Sequence, residues 1–513
     1  MAGEVFKSRF TFIAAAVGMA VGTGNLWRFP RVVGEWGGGA FLIALLVANL
    51  VWAVPLLMSE SLMGSRSRLG TIGAFRDFMG RKFAWMGGFM GFVSIGILFY
   101  YSVVCGWALR YLIYSLTGKF NGDNVNTTGI WDDFTGSAWQ PMLFHAISIA
   151  IVGYVVYRGV NGGFEALLKI VIPCLFVILV ILFVRAVTLD GASGGLEYMF
   201  VPEWSRLGEA DVWLQAFTQM AFSTGAGWGL YLTYAVYMRK KEDMAINAGI
   251  LVSANLFASL MAGAAILCTV FALRSEEFAA EAAGAGNQGL AFIYFAELLG
   301  QMPGGAIFGP LFFLALFLAG ISSLIAMVEL GARNVMDMGL KRKNSVSLIV
   351  VATLIAGIPS AYSVEFLTNQ DNVWGIGLLL AGLCAAIAIM KFGVERARTQ
   401  INETADVHVG RWWSVCIYGF PLMFVILFGW WMQQSIRDVD EWWNPWSQFS
   451  FGTMLVQWAA LVLILLILNN FFSNKVVRGP MSDASAGPGA AFIGDPNLRR
   501  WRRPSIGRKG GAA

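Results

Sequence analysis

Long apolar stretches alternate with short polar connections along most of the chain. A helix that crosses a bilayer needs about 20 predominantly apolar residues. Twelve stretches are of suitable length: 10–34, 39–63, 86–116, 142–158, 164–187, 211–237, 245–272, 304–335, 346–361, 372–392, 412–433 and 450–471. The alternating pattern of about ten residues that is typical of membrane barrels is absent. The chain is therefore predicted to be an all-α membrane protein with twelve transmembrane helices.

Two of these stretches are interrupted by residues that weaken helices or are costly in lipid. In the sixth stretch the interruption is the run STGAGWG at 223–229. In the first stretch it consists of Gly18, Gly22, Gly24, Asn25, Arg28 and Pro30. Close helix packing would explain Gly18 and Gly22 alone. Since non-helical backbone at membrane depth is tolerated only where it is buried in protein or lines a cavity, the polar residues and the second interruption favour a ligand site made from main chain.

The two interrupted stretches are five spans apart, so they enter the membrane from opposite sides. Matched interruptions in two halves of a chain are typical of inverted-repeat secondary transporters. We therefore predict a first five-helix repeat at 10–187, an inverted second repeat at 211–392 and two further helices at 412–471.

The charge distribution predicts the orientation of the chain. Only 13% of the residues are charged, against about 25% in soluble proteins. Lysine and arginine cluster in alternate connections, for example at 66–82, 239–241 and 341–343. The intervening connections contain only Lys119, Arg185, Arg206, Arg274 and Arg437. The positive-inside rule then places both termini in the cytoplasm, as expected of a multi-pass protein of the plasma (inner) membrane.

Three segments outside the spans carry predictions of their own. Residues 1–9 are predicted to be a short cytoplasmic N-terminus. Residues 273–303 alternate helix formers with glycines, which predicts a hairpin of short helices on the outer face. Residues 472–513 are rich in Gly, Ala, Ser and Pro and end in a basic run, which predicts a disordered cytoplasmic tail.

Residue types suited to catalysis or metal binding are scarce. His145 and His408 are far apart in the sequence, and no nucleophile and base form an evident pair. The cysteines all fall in apolar segments and are interpreted as small core residues: Cys105, Cys174, Cys268, Cys384 and Cys416. We therefore expect no enzyme. The expected partners are the lipid bilayer and a small-molecule substrate, and not nucleic acid.

Oxygen-bearing side chains in other stretches add to the hypothesis of a ligand site made from main chain. Carbonyls freed from a helix can face a cation, and the N-termini of half-helices can face an anion. Ser322 and Ser323 lie in the eighth stretch and Asn255 in the seventh. Taken alone, such hydroxyls more often bond to their own helix, and a membrane asparagine more often joins two helices. Together with the interruptions, they favour a sodium site.

Several motifs resemble the neurotransmitter:sodium symporter family, in particular its bacterial amino-acid transporters of the leucine-transporter type. The motifs are GMAVGTGNLWRFP at 18–30, GGGAF at 37–41, QMAFSTGAGWG at 219–229, TYAVY at 233–237, Asn255 and AGISS at 319–323. The likeness extends in order from about residue 6 to residue 470. It implies the fold with two five-helix inverted repeats in which helices 1 and 6 are unwound.

The resemblance also implies two sodium sites and a substrate site between helices 1, 3, 6 and 8. The first sodium site would use Ala20, Asn25, Ser223, Asn255 and the carboxylate of the substrate. The second would use Gly18, Val21, Ala319, Ser322 and Ser323. The substrate site would be formed by Ala20, Gly22, Gly24, Ile97, Tyr101, Phe222, Ser223, Gly225, Ala226, Trp228, Ser323 and Met327.

The identity of residue 22 points to the kind of substrate. Family members that carry monoamines have Asp where this chain has Gly22. Without that carboxylate, the substrate should bring its own carboxylate to the sodium ion, as an α-amino acid does. The apolar surroundings favour a neutral side chain, although Gly225 enlarges the pocket and Trp228 reduces it.

The resemblance further implies a chloride site and two gates. Chloride would be bound by Gln219, Ser223, Asn255 and Ser259, although the expected tyrosine in the second stretch is Leu45. Arg28 and Asp371 would form the outer gate. Asp337, braced by Tyr237, would form the acidic half of the inner gate; the usual arginine is Gly3, and Lys7 or Arg9 could replace it. Glu60 would support the unwound backbone of the sixth stretch, in preference to carrying a proton.

The favoured hypothesis is a sodium-coupled symporter that imports neutral, hydrophobic amino acids by alternating access. The alternatives are the same fold carrying another zwitterion or an osmolyte, and an amino-acid sensor that does not transport. A sensor would be expected to carry a folded signalling domain, which the short basic tail is not.

Overall fold

The computed structural model of the protein describes residues 4–122, 125–274 and 286–481. Ten helices in this part are long and apolar enough to cross a membrane: Gly39–Ser67 (span 2), Arg81–Leu116 (span 3), Gln140–Tyr157 (span 4), Val160–Val187 (span 5), Met244–Leu273 (span 7), Gly305–Asp337 (span 8), Arg342–Tyr362 (span 9), Val364–Phe392 (span 10), Arg411–Asp438 (span 11) and Phe451–Lys475 (span 12).

Spans 1 and 6 each consist of two helical pieces. Span 1 contains Arg9–Ala20 and Gly24–Glu35, which meet at an angle of 48°. Span 6 contains Ala210–Thr224 and Leu230–Ala235. Each piece is too short to cross the hydrocarbon core by itself, so the interruptions divide the two helices near their centres. With these two, the described chain has twelve spans.

Shorter helices lie between the spans. Thr71–Met79 follows span 2, and Val394–Asn402 follows span 10. Thr127–Thr135, Ala192–Phe200 and Phe295–Gln301 lie in connections on the opposite face. Of the predicted hairpin at 273–303, residues 275–285 lie outside the described residues, and the segment from Gly286 to Gln301 is helical.

Side-chain caps determine where several helices begin. Ser8 and Thr11 form a reciprocal capping box at the start of span 1. Asp243 accepts a hydrogen bond from the Ile246 amide at the start of span 7, and Ser450 caps span 12 in the same way. Each cap satisfies an amide that has no partner within its helix.

Spans 3 and 8 are the longest buried helices, and they pack against each other beside the broken centres of spans 1 and 6. Spans 11 and 12 lie at the periphery, where large apolar side chains such as Val415 and Ile467 are exposed. Apolar exposure of this extent is expected of a surface that faces lipid. The division into repeats at 10–187 and 211–392 stays a prediction.

Both ends of the described chain lie beside the connection between spans 8 and 9. Arg342 is 3.5 Å from Glu4, and the Val477 amide donates to the Asp337 carbonyl over 2.8 Å. We call this side the terminal face and the opposite side the far face. Most of the predicted tail, residues 482–513, lies outside the described residues.

The GGG motif at 37–39 is a packing feature of the far face. Gly38 pairs with Pro202 in an isolated β-bridge. A Cβ atom on Gly38 would lie 1.9 Å from the Tyr198 carbonyl oxygen, and one on Gly39 would lie 2.7 Å from the Pro202 nitrogen. Only glycine allows the two backbones to approach this closely.

Candidate functional site

The interruption of span 6 depends on glycines in the left-handed region. Gly225, Gly227 and Gly229 have φ angles of 73°, 92° and 75°. Other residues rarely adopt these values, so the run STGAGWG leaves the helix after Thr224 and re-enters it at Leu230.

Glu60 of span 2 holds the freed backbone of span 6. Its carboxylate accepts hydrogen bonds from the amides of Gly227 at 2.6 Å and Leu232 at 3.2 Å. Glu60 is fully buried. A buried amide without a partner is costly, so this side chain stabilises the interruption itself and the second helical piece of span 6.

Oxygen atoms from spans 1, 6 and 7 converge around Asn255. One end of its amide group lies 3.1 Å from the carbonyl oxygens of both Ala20 and Ser223. The other end lies 2.7 Å from the Ser223 hydroxyl. Asn25 reaches the same group, because its Nδ2 donates to Asn255 over 2.9 Å. The four residues expected at the first sodium site therefore lie together.

The residues expected at the second sodium site lie where span 8 meets the first piece of span 1. The Ser322 hydroxyl is 2.8 Å from the Ala319 carbonyl oxygen and 3.5 Å from that of Val21. The Ser323 hydroxyl donates to the Met19 carbonyl over 3.3 Å. A Cβ atom added to Gly18 would lie 3.4 Å from the Ser322 Cβ. The five predicted residues thus bring carbonyls and hydroxyls from two helices together.

A small cavity lies between the two interruptions and spans 3 and 8. It is lined by Met19, Ala20, Gly22, Gly24, Asn25, Tyr101, Phe222, Ser223, Gly225, Trp228, Leu230, Ser323 and Met327. Ten of the twelve predicted substrate residues are in this lining. Ile97 and Ala226 are not in it; both are fully buried in the surrounding core. Met19 and Leu230 were missed, although both flank the interruptions that indicated the site.

Tyr101 and Trp228 are held in defined orientations at this cavity. The Tyr101 hydroxyl accepts a hydrogen bond from the Thr23 amide over 2.8 Å. The Trp228 indole donates to the Ala221 carbonyl over 2.8 Å, and its ring meets that of Phe222 edge to face. None of the residues lining the cavity carries a charged side chain.

The expected outer ion pair between Arg28 and Asp371 is not formed in this structure. Arg28 donates to the Gln219 side chain over 2.9 Å and lies over the Phe222 ring. Asp371 accepts from the Tyr100 hydroxyl over 2.8 Å. Both charged residues line an open cavity of about 270 Å³ above Phe222. Arg28 and Asp371 each bond to a neutral side chain instead, because the cavity lies between them.

The partners at the terminal face also differ from those expected. Tyr237 donates to Glu329, at 2.5 Å, and not to Asp337. Asp337 instead pairs with Arg333 at 2.8 Å and accepts from the Gly70 amide. The cause is Glu329, a fully buried carboxylate that lies nearer to Tyr237.

Glu329 could have been recognised from the sequence as a carboxylate within an apolar span, which needs a partner. That partner is Arg342, which also reaches Glu4. Neither proposed substitute for the missing arginine pairs with Asp337. Arg9 donates to Asn247 over 3.0 Å, and the Lys7 amide donates to Glu165 over 2.9 Å.

Three of the four residues expected to bind chloride are adjacent. The Asn255 amide group lies 2.7 Å from the Ser223 hydroxyl, and Asn25 donates to the Ser259 hydroxyl over 2.8 Å. Gln219 lies one turn before Ser223, and its amide group is shared between Arg28 and the Gly24 carbonyl. Leu45 is buried and contributes no polar atom.

Comparisons with known proteins agree with this architecture. A family model described as the sodium:neurotransmitter symporter family matches residues 3–135 and 128–474. An uncharacterized sodium-dependent transporter of Methanocaldococcus jannaschii is 33% identical over 431 residues, which cover 81% of this chain and 87% of the relative. The sodium-dependent serotonin transporter of Drosophila melanogaster is 26% identical over 517 residues, covering 91% of this chain and 83% of the relative.

A solved structure is also similar. The crystal structure of MhsT in complex with L-phenylalanine matches with a TM-score of 0.75 at 28% sequence identity. The match covers 83% of this chain and 99% of that one. It confirms the predicted all-α membrane fold.

Proposed function

The chain belongs to the sodium:neurotransmitter symporter family, whose members are transporters and not enzymes, and we propose that it imports neutral, hydrophobic amino acids together with sodium by alternating access. Sodium dependence follows from the family. The choice of substrate rests on the cavity between the two interruptions. The lining carries no charged side chain, so a net-neutral substrate leaves no unpaired charge.

The first sodium site in this proposal is the group around Asn255. If its amide nitrogen faces Ala20 and Ser223, it donates to both carbonyls; if its oxygen faces them, that oxygen lies 3.1 Å from each of the two carbonyl oxygens. Oxygens in that arrangement repel one another unless a cation lies among them. The adjoining cavity lets a substrate carboxylate supply a further ligand, which couples sodium binding to substrate binding.

The second sodium site is formed by Gly18, Val21, Ala319, Ser322 and Ser323. The hydroxyls of Ser322 and Ser323 now bond to main-chain carbonyls. If the two hydroxyls rotate toward an ion, these hydrogen bonds, which are modest in free energy, are lost. The carbonyls are then free to bind the same ion. Sodium here ties span 8 to the first piece of span 1.

The amino-acid backbone of the substrate is placed beside Tyr101 and Gly22. The Tyr101 hydroxyl accepts from Thr23, so its own proton remains available to a substrate carboxylate. The other wall consists of Phe222, Trp228 and Met327, which suit an apolar or aromatic side chain. The MhsT structure contains L-phenylalanine, and that ligand supports the same chemical class for this chain.

Chloride and the gates complete the proposal. Chloride would lie among Ser223, Asn255 and Ser259 and assist transport. Arg28 and Asp371 would approach each other when the outer cavity closes over the substrate. The terminal face, where the Glu329–Arg342 pair lies, would be cytoplasmic, with the protein in the plasma (inner) membrane.

Thermal unfolding of the purified protein tests the substrate and the ion together. Each amino acid, with betaine and other zwitterions for comparison, is added in sodium or in potassium buffer. We expect hydrophobic amino acids to raise the melting temperature in sodium only, because a ligand stabilises the state to which it binds. Stabilisation by betaine but not by amino acids would contradict the substrate assignment.

Uptake into proteoliposomes distinguishes a transporter from a sensor and tests the second sodium site. Ser322→Ala combined with Ser323→Ala should abolish concentrative uptake and leave the protein folded. Ser59→Ala is the matched control, since Ser59 is equally buried and bonds only to its own helix. Normal uptake by the double variant would rule out this sodium site, whereas ligand binding without uptake by the unmodified protein would indicate a sensor.

A further inference from the structure

Two cations lie against one tyrosine ring where span 3 ends and span 4 begins. The Arg110 guanidinium carbon is 4.1 Å from the centre of the Tyr114 ring, and the Lys119 ammonium is 4.2 Å from it. The Arg110 guanidinium also lies 5.2 Å from the Phe144 ring of span 4. Both cations therefore contact the same aromatic ring.

These cations differ from Arg274 on the same face. Within the described residues, no carboxylate lies within 4 Å of Arg110 or Lys119, and the Arg110 Nε is buried without a hydrogen-bond partner. Arg274 on the same face is paired with Glu297, and Arg185 donates to the Pro303 carbonyl. A charged side chain in a membrane span is costly unless its charge is compensated, and among the described residues Arg110 has aromatic rings and no carboxylate as neighbours of its guanidinium.

The position is that of lipid headgroups. Arg110 is six residues before the end of span 3, which places its Cα about 9 Å below the last residue at 1.5 Å per residue. Its long side chain can reach up to the interface. The same helix ends carry exposed apolar side chains, namely Ile113, Leu116, Trp139 and Leu143, and Trp139 is 60% exposed. Tryptophan is enriched at the membrane–water boundary.

The start of span 4 adds a further attraction for an anion. Span 4 begins at Gln140, and Trp139 provides no side-chain cap. The Gln140 amide donates to the Ser137 hydroxyl, Pro141 has no N–H, and the Leu143 amide donates to the Trp139 carbonyl. The attraction is therefore that of the positive end of the helix dipole and not of a set of free amides. Phe144, four residues further, is already in contact with Arg110.

We propose that Arg110 and Lys119 bind the phosphate of an anionic membrane phospholipid at the far face. The acyl chains lie along Ile113, Leu116 and Leu143, and the phosphate lies between the two cations beside the start of span 4. A free phosphate ion would also pair with the two cations, but it would not contact the exposed apolar side chains beside them. The site is independent of the proposed substrate.

Native mass spectrometry of the detergent-purified protein measures the binding. Dioleoylphosphatidylglycerol, dioleoylphosphatidylcholine and inorganic phosphate are titrated separately. We expect retention of one phosphatidylglycerol at concentrations at which phosphatidylcholine is not retained, and no competition by millimolar inorganic phosphate. Equal retention of both lipids, or displacement by inorganic phosphate, would overturn the assignment.

Variants locate the site. Lys119→Gln, at an exposed position, should weaken phosphatidylglycerol binding about fivefold, which corresponds to about 1 kcal/mol for one basic residue near a lipid surface. Lys119→Arg should retain it. Arg185→Gln is the control for loss of one charge on the same face and should leave binding unchanged. Unchanged binding by Lys119→Gln and by Arg110→Gln would overturn the proposal, and each variant's fold is checked by thermal unfolding.

Discussion

A Cβ atom added to Gly22 would lie 2.7 Å from the Tyr101 hydroxyl oxygen, and 2.6 Å from the Ser323 hydroxyl. These distances are shorter than any ordinary contact with Cβ. Gly22 therefore also contributes to packing in this structure, because Tyr101 and Ser323 occupy the space that a side chain would need.

We expect Gly22→Ala to reduce the affinity for substrate about tenfold, because overpacking of this kind costs about 1–3 kcal/mol and displaces Tyr101. Competition binding with the amino acid identified by thermal unfolding measures this. Gly249→Ala is the matched control, since nothing lies within 4 Å of a Cβ atom there. Equal affinity of Gly22→Ala and the unmodified protein would contradict the placement of the substrate beside Tyr101.

Replacement of Glu60 should separate its structural role from any role in proton transfer. Glu60→Ala leaves the Gly227 and Leu232 amides without their acceptor, at a cost of about 1–3 kcal/mol for a buried group. Glu60→Gln retains one acceptor oxygen and should lose less stability. Thermal unfolding of the unmodified protein, Glu60→Gln and Glu60→Ala measures their order of stability. A Glu60→Gln protein that is fully stable but no longer responds to pH in uptake would favour a proton carrier instead.

Tyr100→Phe should favour closure of the outer cavity. The variant removes the hydroxyl that donates to Asp371; a hydrogen bond to a charged group contributes about 1.5–3 kcal/mol. The freed carboxylate then has Arg28 as its best partner. Thr218 lines the outer cavity. Thiol labelling of Thr218→Cys, in a background without the exposed Cys174, should therefore slow about tenfold when the cavity closes. Tyr362→Phe, at an exposed position, is the control, and labelling that is unchanged or faster would argue against an Arg28–Asp371 gate.

A fixed negative charge in the proposed chloride site should make uptake independent of chloride. Because Asn25 donates to the Ser259 hydroxyl, Ser259→Glu would place a carboxylate in the proposed chloride site. We expect uptake by the unmodified protein to fall when gluconate replaces chloride, and uptake by Ser259→Glu to be indifferent to the exchange. If gluconate has no effect on the unmodified protein, chloride has no part in transport.

Arg76 should be important for stability at the terminal face. Its guanidinium donates to the Val476 carbonyl over 2.7 Å and to the Val477 carbonyl over 2.9 Å, which fastens the end of span 12 to the helix Thr71–Met79. Arg76→Ala should lower the free energy of unfolding by about 2–4 kcal/mol, since both bonds involve a charged donor. Lys82→Ala, at an exposed position of the same face, should have little effect. Equal stability of the two variants would show that the fastening contributes nothing.

Much of the architecture could be predicted from local features of the sequence. The apolar stretches and the breaks at 14–31 and 223–229 depend on the backbone preferences of the residues themselves. Gly225, Gly227 and Gly229 interrupt a helix wherever they occur together, because their φ angles lie where other residues are strained. The group around Asn255 could likewise be anticipated from motifs, since each member lies in a distinctive run.

The choice of partners could not be predicted in this way. Tyr237 bonds to Glu329 and not to Asp337, and Arg28 to Gln219 and not to Asp371. The GGG motif at 37–39 serves the packing of residues 198–202, about 160 residues further along the chain.

The sequence by itself determined where helices form, where they break and which atoms the breaks expose, because these depend on the residues at the break and their near neighbours. The tertiary structure determined which partner each charged or polar side chain bonds to. A long side chain bonds to the nearest suitable group, and the nearest group is determined by helices that are distant in sequence and adjacent in space.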